Sequence, residues 1–198
     1  FDTVAQEKLA AYSKASATVD SFNTKYMSDT GATAEDNAKA QLTSKQAQLD
    51  ALILKGKGGD NDSDFDESKL TDEEKEQYKT LTSSVETLKS DIANYDTAKK
   101  SMEDLKNYVN IEVKDGKTTV SALKETDSAA GVANIAAETA DRNTKIKADL
   151  TTQYQNKAKN SYDMINAAHK FSKGASRKVG QDSEIELNGA TFTSNSNN

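Results

Sequence analysis

Cysteine, proline and tryptophan are absent from this 198-residue chain, and histidine occurs once. Without cysteine there is no disulfide framework, no thiolate zinc site and no cysteine nucleophile. Without proline no helix loses an interior amide donor, so long helices are expected to run straight. Hydrophobic residues make up 34% of the chain, aromatics 6%, and the mean hydropathy is -0.82. A wide globular core is therefore excluded, and narrow apolar seams between long polar helices are what this composition can form. Basic charge is also in deficit, with 26 Lys and Arg against 32 Asp and Glu and a net charge of -6. Such a chain lacks the clustered cations that neutralise phosphates, and no nucleic acid is expected among its partners. No run approaches the roughly 18 apolar residues of a membrane span; the longest apolar cluster is Ala51 to Leu54, so no membrane span is expected. Phe1, Asp2, Thr3 and Val4 already read as helix, with no basic n-region or h-region before them, which suggests a piece of a longer protein.

What is present is helical periodicity. In a first stretch Val4, Ala5, Leu9, Tyr12, Val19, Phe22 and Tyr26 recur at three- and four-residue spacings and predict a helix ending near Asp29 to Gly31. Thr33 with Asp36 predicts the N-terminus of a second, whose Ala38, Leu42, Leu49 and Leu52 repeat until Gly56. Residues 56–70, rich in Gly and Asp, read as an exposed loop, and Thr71 with Glu74 forms a capping-box signature for a third helix. That helix carries the clearest signal: Tyr78, Leu81, Val85, Leu88, Ile92, Tyr95, Lys99, Met102, Lys106 and Val109 keep a heptad spacing, weakened by the two lysines. Residues 110–120 change to a strand period around Asp115 and Gly116 and predict a small hairpin. A long helix is expected from about Ser128 to Ser172, its start delayed by Gly131, with Ile135, Ile146, Leu150, Tyr154, Ala158, Ile165 and Ala168 near one face. Residues 174–180 read as a basic linker, and 184–193 alternate around Asn188 and Gly189 as a short β element. The expected fold is mainly α: an elongated antiparallel helical bundle or coiled coil over residues 1–172, a small β-hairpin element, and a linker and C-terminal β element over 173–198.

Four features could carry chemistry. Asp60, Asp62 and Asp64 alternate like the opening of a calcium loop, where successive carboxylates face one hard cation. The pattern then fails, because Phe65 stands where the sharp turn needs Gly and Thr71 where a bidentate Glu should close the site; a solvated acidic loop is the expectation. His169, near the end of the last helix and without a metal-type spacing, reads as a surface or cap residue. Tyrosines 12, 26, 78, 95, 108, 154 and 162 mostly fall at seam spacing and read as core. Lys170, Lys173, Arg177 and Lys178 read as a solvated basic run able to meet an acidic partner. No nucleophile elbow, P-loop or dinucleotide glycine pattern occurs. No catalytic, cofactor-binding or metal-ligating residue is assigned, no cofactor is expected, and the chain is expected not to be an enzyme.

Residues Gly180 to Asn198, GQDSEIELNGATFTSNSNN, resemble the segment opening the C-terminal part of the bacterial flagellar filament cap, or hook-associated, protein family. In that family an acidic or small start, two alternating strand residues, an Asn-Gly or Asp-Gly turn, a second strand and a Ser/Thr-Asn ending recur. Here Asp182 to Glu184, Ile185 and Leu187, Asn188 and Gly189, Phe192, and Ser196 and Asn197 take those places. Residues 1–172 would then be a helical insertion or leg-like bundle, and no filament-contacting residue is carried over. The resemblance implies an extracellular, structural role at the flagellar filament tip. Flagellin or other axial subunits would be the partners, and the chain would be part of a homo-oligomer formed partly through regions outside it. A helical spacer or adhesin segment of a secreted, surface or phage-tail protein is the alternative.

Overall fold

The structure, a computed structural model, describes residues 1–174, 177–178, 182–187 and 190–195, with side chains described as far as Phe171. Four helices dominate: α1 (Asp2–Lys25), α2 (Ala34–Gly56), α3 (Asp72–Leu105) and α4 (Gly131–Gly174). Two antiparallel sheets accompany them, one of β1 (Val109–Lys114) and β2 (Lys117–Ala122), the other of β3 (Arg177–Lys178), β4 (Asp182–Leu187) and β5 (Ala190–Asn195) in that order. The mainly α class with a β-hairpin agrees with the sequence. The chain divides into two compact units, 1–139 and 140–198, with the boundary inside α4.

Local signals set the helix ends. The Thr33 hydroxyl accepts from the Asp36 amide at 3.1 Å and starts α2. Thr71 and Glu74 form a reciprocal box at the start of α3, with amide contacts of 3.2 and 2.9 Å. Each cap meets amides that would otherwise lack a partner and contributes about 1 kcal/mol.

In the first unit α3 is the spine. At 34 residues it extends roughly 50 Å at about 1.5 Å per residue, longer than either partner. Both α1 and α2 run antiparallel to it. Lys25 at the end of α1 meets Asp91 at 2.7 Å, whereas Glu35 at the start of α2 meets Lys99 and Lys55 at its end meets Glu74. The two shorter helices thus follow one another along the spine and overlap only near its middle. There the main core forms from Phe22 and Tyr26 of α1, Ala38 of α2, and Leu88 and Tyr95 of α3, with Val19, Leu42 and Ile92 packed against it. Phe22 stacks on Tyr95 with ring centroids 4.1 Å apart and meets Tyr26 at 4.8 Å. Burying each large apolar side chain contributes roughly 1.5–3 kcal/mol, so this three-helix overlap outweighs the caps.

A second, smaller core lies at the other end of α1. Val4 and Ala5 pack against Leu123 and Ile135, flanked by Phe1, Tyr108, Ala122 and Val132. The expected heptad seam stops short of this region. α3 ends at Leu105, Lys106–Tyr108 form a 3-10 turn, and Val109 is the first, buried residue of β1 rather than a seam position. β-Branched residues at 109, 111 and 113 favour the extended chain once the helix has no further apolar repeat to bury. The hairpin runs from Val109 opposite Ala122 to Lys114 opposite Lys117. Its two turn residues, Asp115 and Gly116, have φ of 52° and 75°, the left-handed pair a two-residue hairpin requires. Gly131 opens α4 where a Cβ would lie 2.0 Å from the Asn107 carbonyl oxygen, so only glycine permits this approach.

In the second unit α4 carries apolar residues at the expected spacing, but Ile146, Leu150, Tyr154 and Ile165 are exposed, with Tyr154 68% exposed. Of the stripe expected from the sequence, Ile135 is the buried member, at 0% exposure. A helical period marks a face; burying that face takes a second surface. β4 and β5 pair from Asp182 opposite Asn195 to Leu187 opposite Ala190, as the alternation predicts. Asn188, Gly189, Ser196 and Asn197 lie outside the described residues. Part of the expected linker is strand, since Arg177 pairs with Ile185 and Lys178 with Glu184.

Candidate functional site

Lys25, Tyr26 and Asp91 form a set of coupled ionisable groups at the edge of the main core. α1 ends in Lys25 and is followed by Tyr26 as its C-cap, and α3 presents Asp91 one turn after Leu88. The buried Tyr26 hydroxyl donates to Asp91 Oδ2 at 2.5 Å, and Lys25 Nζ reaches the same oxygen at 2.7 Å. The Lys25 ammonium, then the Tyr26 hydroxyl, hold the Asp91 carboxyl below its usual range. Burial, then the hydrogen bond to Asp91, pushes the Tyr26 phenol up. The hydrogen bond to Asp91 raises Lys25 in turn. Each group is held in the charge state it has at neutral pH, which suits a tie between helices; a general acid or base needs a group poised to change state. A shallow groove of about 390 Å³ borders this tie, lined partly by Lys14, Thr18, Ser21 and Asn94.

The acidic loop is organised around its own backbone. Asp60 accepts from the Asp62 amide at 3.0 Å and the Ser63 hydroxyl at 3.1 Å, while Asp66 accepts from the Ser68 amide and hydroxyl at 3.0 and 2.7 Å. Those Ser68 bonds lower the Asp66 carboxyl. Phe65, the residue that interrupts the calcium pattern, stacks on Tyr78 at 5.0 Å and covers Gly56 so closely that a Cβ there would lie 2.3 Å from its ring. The Asp66 amide also bonds the Gly56 carbonyl at 2.9 Å. The loop therefore folds back as a plug over the junction of α2 and α3. Among the described residues no group of three or more His, Asp or Glu stands where it could hold a metal ion.

The other candidates separate. His169 and Lys170 are exposed on the last turns of α4. The side chains of Lys173, Arg177 and Lys178 lie outside the described ones. Tyr12, Tyr26 and Tyr95 are core residues, as their spacing predicts, whereas Tyr154 and Tyr162 stand exposed on α4. Sequence reasoning missed the tie at Asp91. Its available signal was an acidic residue beside seam position Ile92, level with a Lys-Tyr pair ending the preceding apolar stripe. Among the described residues no helix is long and apolar enough to cross a membrane. The chain matches no protein-family model, no curated protein and no solved structure.

Proposed function

We propose that this chain is a structural, non-enzymatic part of the bacterial flagellum, a piece of a filament-cap protein that helps flagellin assemble at the filament tip, with residues 1–172 as a helical insertion. The observation that carries the proposal is the β4–β5 hairpin, which falls on the residues whose strand-turn-strand pattern resembles that family. The first unit is compatible with a mechanical role. The pairs Lys25–Asp91, Lys55–Glu74 and Glu35–Lys99 tie α1 and α2 to α3, and its long spine gains length at about 1.5 Å per residue. Extracellular placement and contact with flagellin or other axial subunits belong to the same proposal. The test is deletion of the parent gene in the source bacterium. Flagellin shed into the medium by cells without filaments, and filaments regained on complementation, is the expected result. Normal filaments in the deletion strain would overturn the proposal, and lost surface attachment in that strain would favour the spacer or adhesin alternative.

A further inference from the structure

The apolar face of α4 in the second unit points to a second copy of this chain as its occupant. Ile146, Leu150, Tyr154, Met164, Ile165 and Phe171 are all exposed, between 43% and 74%. At about 100° per residue they fall within one broad stripe, whereas Asp141, Lys145, Lys159 and Asp163 lie opposite and pair along the helix as Lys145 with Asp141 and Lys159 with Asp163. Large side chains at this exposure each offer on the order of 100 Å². Two such faces laid together would remove roughly 1,200 Å² from water, the lower bound of a specific, stable interface.

The order of residues selects the direction of pairing. In a parallel, in-register pair Lys157, central in the stripe, faces Lys157 of the other copy, and like charges meet in the seam. In an antiparallel pair the same positions are complementary: Lys157 faces Ser161, Tyr154 faces Met164, Leu150 faces Ala168, and Ile146 lies beside Phe171. At the three inner pairings a bulky or long side chain then meets a small or flexible one, the two large apolar residues at the end pack together, and the lysine stem can cover apolar surface while its ammonium reaches water. We infer that two copies of this chain associate through an antiparallel seam of α4 helices over residues 146–171. This rests on α4 alone and does not depend on the flagellar proposal.

Sedimentation equilibrium of the full 198-residue chain tests it. The expected result is a concentration-dependent rise to twice the 21.4 kDa chain mass, with Leu150→Lys weakening the dimer about tenfold or more at unchanged helix content by circular dichroism. Because the chain has no cysteine, the direction can be read without background. Mild oxidation of Leu150→Cys chains mixed with Ala168→Cys chains should link the two variants to each other, and Leu150→Cys alone should stay uncrosslinked. A single-chain mass at all concentrations would overturn the inference, as would Leu150→Cys chains linking to one another as fast as the mixture.

Discussion

The two compact units use the same helical period and differ in what it meets. In the first, Phe22 of α1 and Leu88 and Tyr95 of α3 recur at that spacing and enter a core where Phe22 lies between Tyr26 and Tyr95. In the second, α4 repeats Ile146, Leu150 and Tyr154 with equal regularity and leaves them exposed. Patterning therefore measures the capacity of a face to be buried. Whether it is buried depends on a surface that lies elsewhere in the chain or in another molecule.

The largest expected effect comes from paired truncations on the two faces. Phe22→Ala removes a ring that stacks on Tyr95 and tilts against Tyr26 and should cost about 3–5 kcal/mol, whereas Leu150→Ala in a dilute, monomeric sample should stay within about 0.5 kcal/mol. Urea denaturation of both variants reads the contrast, and equal losses would erase it. Next in size, Gly131→Ala drives a methyl group towards the Asn107 carbonyl and should cost about 1–3 kcal/mol in the first unit. A variant as stable as the parent would mean that the start of α4 is looser than described.

Smaller effects come from the tie at Asp91. Its carboxyl is depressed, so its contribution is present above the unfolded value near pH 4 and lost as pH falls through the folded value. Tyr26 and Lys25 are raised, so theirs is present below roughly pH 10 and lost as pH rises through their folded values. Asp91→Asn should flatten the acid limb of a stability–pH curve. Tyr26→Phe should flatten part of the alkaline limb and cost about 1 kcal/mol at neutral pH. Unaltered limbs would remove the tie from the account. The smallest effect is expected in the acidic loop, where millimolar calcium should leave the melting temperature unchanged because Asp60 and Asp66 are engaged with their own backbone; a clear upward shift would restore the calcium reading.

Much of the helical layout was legible because its causes are local. The Thr33 and Thr71 caps and the Asp115–Gly116 turn act within a few residues of themselves, whereas Gly131 owes its place to the distant Asn107 carbonyl. The arrangement of α1 and α2 in succession along α3 was not legible, since apolar spacing names a face and not its neighbour. The same reason hid the exposure of α4. Val109 misled because it fits both periods: it continues the heptad count and begins the strand alternation, and the end of the helix decided between them. At the candidate site, the failed calcium pattern predicts only a solvated acidic loop, and both its bonds to its own backbone and the stacking of Phe65 on Tyr78 need the fold. Asp91 gains its role only through α1, which lies more than sixty residues earlier in the chain.

The most direct measurement is amide hydrogen exchange resolved by residue, on one sample at low and high protein concentration. At low concentration, amides of α3 near Leu88 to Tyr95 should exchange slowly, near the global unfolding limit, while those of α4 beyond Ala140 exchange much faster. Raising the concentration should slow α4 alone. Equal, concentration-independent protection of the two helices would contradict the division between a face already filled and a face awaiting its partner.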